Sequence, residues 1–431
     1  MEQQRQPYLS VGIDVGADFS LMAVAMPTQE IIGKPYKILH SSHHSVQGAV
    51  DRILALRQTY ELPVRVYMES TSIYHLPLYH RFKDAGLEVF VLNPIVTHAN
   101  QNTNIRNIHN DKHDAQRIAV LGLRPGLKTS LIPDDEIAAV KALLREYYAM
   151  KKEASMYICR LKNQLRQSFP QYLPIFSKVN GKASLEVLSR YPSPSAALDA
   201  GVDALAEVIR EAAGKGAAMA LEKAEKLTAA AREALSFGHS NSGIIFLIGH
   251  YVEMIRILDE QTTAVLRQIK RGLSENPDSL LAQQTRLLES IPGAGFLTAV
   301  TILCELGDFK VFRRPKQLYS YFDLDPVVRQ SGNSAGANLR ISKRGSPYAR
   351  RCFYVLALQS VSLRKNGEPK NPVIRAYYLE KCKSKAKMTA LGAVMHKLCN
   401  IVFAVLRDER PFVLISPQEH CQKHLSAPKA A

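Results

Sequence analysis

From Asp134 the chain changes character. The stretch DDEIAAVKALLREYYAMKKEASMYICRLKNQLRQ holds a helical pattern longer than an ordinary globular helix, which predicts a long hairpin or coiled-coil arm. What precedes it reads differently. YLSVGID, SLMAVAMP and EIIGKPYKIL, each bounded by Gly, Asp or Pro, predict three strands in a meander. SVQGAVDRILALRQTY then has helical periodicity, PVRVYME is a β-branched run ending in Glu69, IYHLPLYHRFKDAG is helical and stops at glycine, and LEVFVLNP is a further strand. Three strands followed by helix, strand, helix, strand describe a mixed α/β sheet. After the first long helix come an alanine-rich helical segment (Glu207 to Leu235) and a second long helix (about Gly243 to Leu273), and GLSENPD (Gly272 to Asp278) marks a boundary. At roughly 150 residues per domain, two or three domains are expected. The expected division is a mixed-sheet domain over 1–130, a helical arm over 131–280, a basic helical domain over 281–410 and a polar tail over 411–431. No internal repeat is visible.

With 46% of residues apolar and 22% charged, the chain has ordinary globular composition rather than that of a disordered or fibrous one. Its six cysteines (Cys159, Cys304, Cys352, Cys382, Cys399, Cys421) contain no C-x-x-C pair, so they predict buried thiols in a reducing compartment rather than a zinc ribbon or a disulfide framework. No cationic start followed by an apolar run opens the sequence, and no stretch is expected to reach the length of about 18 apolar residues that a membrane span needs, which makes the cytoplasm the default. The charge is more informative. Net charge is +17, and the segment from Lys310 to Arg407 holds 20 basic and 4 acidic side chains. Confinement of the excess to one segment favours a polyphosphate partner, because neutralising phosphates releases condensed counterions, over a basic surface kept for solubility.

Four carboxylates stand out. Asp14 ends the first strand in VGIDVG, and Glu69 closes the fourth. If those strands are neighbours, the two emerge side by side at one sheet edge. Asp111 and Asp114, in NDKHDAQRIA, lie three apart at a helix start and share a face. Converging carboxylates are what a two-magnesium phosphoryl-transfer site requires, with hard oxygen ligands around ions roughly 3.5–4 Å apart. Each alone could be a cap or turn residue. The ordered set is harder to explain that way.

The basic domain opens with LLESIPGAGFLTAVTILCELGD, a helix-hairpin-helix pattern whose turn, through Gly293 and Gly295, can aim backbone N–H groups at a phosphate or can simply join two packed helices. Further on, Ser331, Ser334, Ser342 and Ser346 sit among Arg329, Arg340, Lys343, Arg344, Arg350 and Arg351. Cations at that density hold a phosphate chain and favour negative charge building on it, so a serine there could attack a phosphodiester. Which of the four does so, or whether all are turn and cap residues, is left open by the residues themselves. KCKSKAK (Lys381 to Lys387) suits phosphates or a solvated face; Met388, Met395 and Phe403, at helical spacing, are expected in the core. His113 lies between the two aspartates and is expected to point away from them, and the His420, Cys421 and His424 cluster lacks a second ligand pair.

The VGIDVG, YMESTSIYH, VLNP and D-K-x-D-A runs resemble, in type, order and spacing, the DEDD transposases of insertion-sequence family one-ten, relatives of the Piv-type DNA invertases. The resemblance covers most of the chain. It implies a RuvC-like, ribonuclease-H-like first domain whose Asp14, Glu69, Asp111 and Asp114 bind magnesium. It also implies a transposase domain with a Q-S-G loop and an I-S-K-x-G-x-x-x-x-R-R run, matched here by Gln330, Ser331, Gly332, Ile341, Ser342, Lys343, Gly345, Arg350 and Arg351. On that basis the nucleophile is Ser331. One departure is visible: Tyr321, Phe322 and Asp323 precede Leu324 where most relatives have an Ala-Gly pair.

The resulting expectation is an α/β plus all-α recombinase of an insertion sequence, cleaving and rejoining donor and target double-stranded DNA through a phosphoserine. The resemblance further implies a site composed between protomers, dimerisation through the long helices, a tetrameric synapse and a structured bridge RNA as guide. The protein is expected in the cytoplasm with the nucleoid and not at a membrane. Two other classes remain: a metal-dependent, junction-resolvase-like nuclease that needs no serine, and an RNA-binding scaffold that needs neither set.

Overall fold

A computed structural model describes residues 6–70, 73–92, 111–127, 129–130, 134–214, 216–237, 239–324, 330–331, 334–335, 345–415 and 418–419. They fall into two compact units, Met1–Ile132 and Pro133–Ala431.

In the first unit β1 (Leu9–Val15), β2 (Phe19–Ala25) and β3 (Tyr36–Leu39) form the expected antiparallel meander. Helix α1 (His43–Thr59) then crosses to β4 (Val64–Glu69), and α2 (His75–Asp84) leads to β5 (Glu88–Leu92). Helix α3 (Asp111–Gly122) and the short β6 (Thr129–Ser130) complete the unit. The sheet order is β3-β2-β1-β4-β5-β6, with β4 parallel to both β1 and β5. A central strand covered on both faces meets little water on either, so its side chains are mostly apolar or small. On one face Leu9, Val11, Ile13 and Val15 of β1 pack with Ala49, Val50 and Ile53 of α1 and with Leu78 and Phe82 of α2. Each of the larger side chains among them, taken from water, stabilises the unit by about 1.5–3 kcal/mol. The other face of β1 carries Gly12, and α3 lies directly on it: a Cβ added there would sit 2.1 Å from the Ala119 nitrogen and 2.4 Å from the Ala115 oxygen. Glycine is therefore a requirement of the helix-on-strand contact.

The second unit is helical. Helices α4 (Asp135–Ser168) and α8 (Ser242–Glu275), each 34 residues long, run antiparallel against one another as the expected long hairpin. Their starts are capped by Asp134, which accepts from the Ile137 N–H at 2.8 Å, and by Asn241, which accepts from the Ile244 N–H at 3.0 Å. Between them α5 (Lys182–Arg190), α6 (Pro194–Ala213) and α7 (Ala217–Phe237) fold back, and Leu161, Leu165, Phe169, Tyr172, Leu205, Ile209, Ile244 and Ile248 make a distal core. The remaining helices are α9 (Leu280–Glu289), α10 (Phe296–Leu306), α11 (Pro315–Phe322), α12 (Pro347–Val361), α13 (Pro372–Cys382) and α14 (Lys387–Asp408). Ile137, Val140 and Leu144 of α4 and Ile269 and Leu273 of α8 enter the same core as Leu288, Ile302, Phe322, Phe353 and Val402. The boundary expected at residue 280 thus separates two cores of one unit. GLSENPD is the last turn of α8 followed by a short turn into α9, and its Leu273 is part of the shared core.

Three expectations need correction. Cys304, Cys352 and Cys399 are buried, but Cys159 is exposed on α4 and Cys382 is half-buried; Cys421 lies outside the described residues. Met388 is 66% exposed, because it stands in the first turn of α14, ahead of the turn where Ala390 and Leu391 meet the core; Phe403 is buried as expected and Met395 packs against the core. One described helix, α14, is long and apolar enough to cross a membrane by length and composition. Its Val394, Leu398, Cys399 and Val402 are wholly buried in the unit's own core, which accounts for its composition.

Two outcomes follow from this packing. Gly12→Ala must push α3 off the strand, and because backbone atoms rather than flexible side-chain ends stand in the way, it should cost about 3 kcal/mol or more in urea unfolding; a loss below about 1 kcal/mol would contradict the contact. Burial pushes the Cys304 thiol up from 9.0 to about 12. The native thiol keeps its proton where the unfolded one has lost it, so stability should fall as pH rises from 9 toward 12, and Cys304→Ala should show a shallower fall over that window. Equal slopes for the two proteins would remove Cys304 as the cause.

Candidate active site

Strands β1 and β4 pair in parallel through Ile13 and Met68, so one step further Asp14 and Glu69 stand side by side at the carboxyl end of the sheet. Both are partly exposed. They share a face with Gly12 and Tyr67, two residues earlier on each strand, and that is the face α3 covers. A Cβ on Gly122 would touch Ser10 Oγ and Tyr67 Cδ2, both at 2.4 Å, whereas Ala115 and Ala119 lie over Gly12. Helix α3 therefore runs antiparallel to β1, and its start heads toward the strand end that bears Asp14. Asp111 opens the helix. Asp114, 26% exposed, lies in the next turn and forms an ion pair with Arg117 at 3.0 Å. The side chain of Asp111 lies outside the described residues, and among those described no three His, Cys, Asp or Glu form a group able to hold a metal ion. The fold brings Asp14 and Glu69 together and directs α3 to them, while Arg117 neutralises Asp114. An all-carboxylate set at a sheet edge has the hard-oxygen chemistry that suits a divalent cation.

His40 was not predicted. It clasps the β1–β2 turn just beyond Asp14: its backbone N–H donates to the Asp18 oxygen at 3.0 Å, and its ring nitrogens lie 3.1 Å from the Ala17 oxygen and 2.7 Å from Ser20 Oγ. Only the strand pairing brings His40 to Ser20, so no short motif signals it. His113 is exposed, beside the aspartates.

Ser331 lies in a two-residue strand, β7 (Gln330–Ser331), paired antiparallel with β8 (Ser334–Ala335), where it faces Ser334. The side chains of Ser331 and Ser334, and residues Arg329, Arg340, Ser342, Lys343 and Arg344, lie outside what is described. Ser346 caps α12, accepting from the Ala349 N–H at 3.2 Å. Arg350 and Arg351 follow in its first turns and differ. Arg350, 14% exposed, donates to the Gly345 oxygen at 2.5 Å and faces Asp323 at 3.9 Å. Asp323 ends α11 in the left-handed region (φ 55°), a conformation that favours glycine and that Asp tolerates better than most. This is the departure noted in the sequence, and Arg350 lies against it. Arg351 is exposed, with its guanidinium 5.4 Å from the centre of the Tyr148 ring. The α9–α10 turn joins two helices that pack on one another. Gly293 (φ 103°) is pressed against Ser360 of α12, whose hydroxyl donates to the Pro292 oxygen at 3.1 Å, so packing alone accounts for it. Gly295 caps α10, with open space where a Cβ would point.

Two family patterns match the chain, and between them they cover more than half of it. One, described as Transposase and of the DEDD type of IS110, covers residues 11–170, which include Asp14, Glu69, Asp111 and Asp114. The other, described as Transposase IS116/IS110/IS902 family, covers residues 285–379, which include Ser331, Arg350 and Arg351. The "Insertion element IS110 uncharacterized 43.6 kDa protein" of Streptomyces coelicolor is 26% identical over 285 residues, 65% of this chain and 65% of that protein. The "Pilin gene-inverting protein" of Moraxella bovis is 31% identical over 168 residues, 39% of this chain and half of the relative. The "Transposase for insertion sequence element IS1111A" of Coxiella burnetii is 30% identical over 125 residues, 29% of this chain and 33% of that protein. Among solved structures, RuvC of T. thermophilus in complex with a Holliday junction substrate covers 26% of this chain and 90% of its own, at 14% identity and a TM-score of 0.21. At that score the likeness adds nothing to the strand order described above. Taken together these matches define a DEDD transposase, and the chain belongs to the IS110 family of these proteins.

The two arginines separate by experiment. Arg350→Ala should lower unfolding stability by about 2–3 kcal/mol, since it strips a mostly buried cation from its partners. Arg351→Ala should leave stability within about 0.5 kcal/mol and weaken DNA binding with a shallower salt slope. If Arg350→Ala proves as stable as the parent, it does not tie this turn.

Proposed function

We propose that this chain is the transposase of an insertion sequence, cleaving and rejoining donor and target double-stranded DNA with Ser331 as nucleophile. The observation that carries the reading is the lateral pairing of Asp14 and Glu69 at one sheet edge, with the start of α3 directed to the same edge. The meander followed by two parallel strands supports a RuvC-like, ribonuclease-H-like sheet. Asp14, Glu69, Asp111 and Asp114 would hold magnesium, which when bound polarises a phosphate oxygen and favours ionisation of an attacking hydroxyl. Asp114 would exchange its Arg117 partner for the cation.

The serine step balances without a nucleotide. The Ser331 hydroxyl loses its proton and its Oγ forms a bond to phosphorus while a deoxyribose oxygen leaves and takes up a proton. A hydroxyl from the other DNA then attacks the phosphoserine and restores the serine. The phosphoester energy is conserved throughout. Arg329, Arg340, Lys343, Arg344 and Arg351 attract the phosphate, while Arg350 holds Gly345 and faces Asp323. Names of the relatives, an inverting protein and a transposase, fit such rejoining. A structured bridge RNA as guide, dimerisation through α4 and α8, a tetrameric synapse and a nucleoid-associated cytoplasmic location complete the proposal.

Ser331→Ala should abolish both cleavage and the covalent protein–DNA adduct, and Asp14→Asn should abolish magnesium-dependent nicking of supercoiled plasmid. Continued cutting by Ser331→Ala would instead mark a metal-dependent nuclease; nicking by Asp14→Asn would overturn the metal set. Sequencing nucleic acid that copurifies with the protein should return one discrete noncoding RNA matching two DNA sites; random fragments would overturn the guide.

A further inference from the structure

Ser331 lies in the chain between Leu324 and Gly345, and both ends of that stretch are secured to the body of the second unit. At the entry, the Tyr321 hydroxyl donates to the backbone oxygen of Glu305 at 3.2 Å, and His396 Nε2 donates to the Leu324 oxygen at 2.8 Å. At the exit, Gly345 is pressed onto the entry chain, since a Cβ there would lie 2.6 Å from the Tyr321 oxygen and 2.7 Å from the Phe322 carbonyl carbon. Three residues further on, the Tyr348 ring takes the Arg145 guanidinium at 3.8 Å from its centre. Arg145, from α4, is in turn paired at 2.7 Å with the carboxylate of Glu305, which is only 6% exposed. Tyr148, one turn after Arg145, packs on Tyr348 at 5.2 Å and is anchored through its hydroxyl to Thr301 at 3.1 Å.

Glu305 thus serves both ends: its backbone oxygen fixes the entry through Tyr321, and its carboxylate fixes the exit through Arg145 and Tyr348. We propose that Glu305 and Arg145 are positioning residues for Ser331, clamping the two ends of its chain segment and tying them to the long helix α4. Neither touches the reacting atoms. The claim rests on the reading of Ser331 as nucleophile. A hydroxyl must approach phosphorus in line, and a displacement of about 1 Å in such a group can cost as much as a hundredfold in rate. A clamp built on one buried carboxylate meets that demand with few atoms.

The test is single-turnover formation of the covalent protein–DNA adduct by the full chain with its copurifying nucleic acid and saturating magnesium, measured beside DNA affinity. Tyr321→Phe removes one hydroxyl and Glu305→Gln keeps the shape without the charge. Each should slow adduct formation about tenfold while leaving DNA affinity within about twofold. Tyr348→Phe, which retains the ring, should restore the rate lost in Tyr348→Ala. Unchanged rates in Tyr321→Phe and Glu305→Gln, or losses of rate matched by equal losses of affinity, would overturn the clamp while leaving Ser331 as nucleophile. A wild-type protein that forms no adduct, or an adduct that survives Ser331→Ala, would overturn the serine reading and the clamp with it.

Discussion

The contact on which the first unit turns is between two backbones. Helix α3 can lie on β1 only because Gly12 has no side chain, and that approach sets both the height and the direction of the helix over the sheet. Its consequence is chemical. A helix held further out by even one methyl group would carry Asp111 and Asp114 away from the strand ends bearing Asp14 and Glu69. The parallel pairing of β1 with β4 supplies the other half, because it brings two strand ends out at one edge. Neither device involves a carboxylate, so the backbone positions exist before any ion is bound.

Alternating apolar runs and punctuating glycines made the meander, the α1–β4–α2–β5 order and both long helices legible in the sequence, with bounds within a few residues. The order of the carboxylates was legible for the same reason, since strand ends and helix starts follow from periodicity. What periodicity does not encode is the partner across space. Arg145 and Glu305 stand 160 positions apart in the sequence, and each alone reads as an ordinary charge on an amphipathic helix. His40 and Ser20 likewise meet only through the antiparallel pairing of β2 with β3. Met388 failed the burial expectation because it stands in the first turn of α14, ahead of the packed length, and Cys159 because it lies on the outward face of α4, between buried Met150 and Leu161.

The basic segment shows how a charge count differs from a binding surface. Within the 20 cations between Lys310 and Arg407, several have partners inside the fold. Arg350 donates to Gly345, Arg375 donates to the Val361 oxygen at 2.5 Å, and Arg407 pairs with Asp408 at 2.7 Å. Arg364, Lys365, Lys385 and Lys387 are exposed. Each phosphate neutralised releases about 0.9 counterion on duplex DNA, so the salt dependence of binding reports the exposed cations in contact and not the formal excess. A slope taken from net charge would overstate the interface.

The Glu305–Arg145 pair raises a question of energetics that its position answers. Removing the Glu305 carboxylate from water costs several kcal/mol, and its attraction to Arg145, whose side chain stays 37% exposed, commonly does no more than offset that loss, so a well-packed apolar residue would stabilise the unit as well or better. An apolar residue, however, has no preferred direction. The carboxylate fixes the guanidinium plane, the plane fixes the Tyr348 ring it covers, and the backbone oxygen of the same residue holds Tyr321. Directionality at the exit of the serine-bearing stretch is what the ion pair adds to the backbone contact at the entry, and for a reaction that depends on line of approach it counts for more than its net stability.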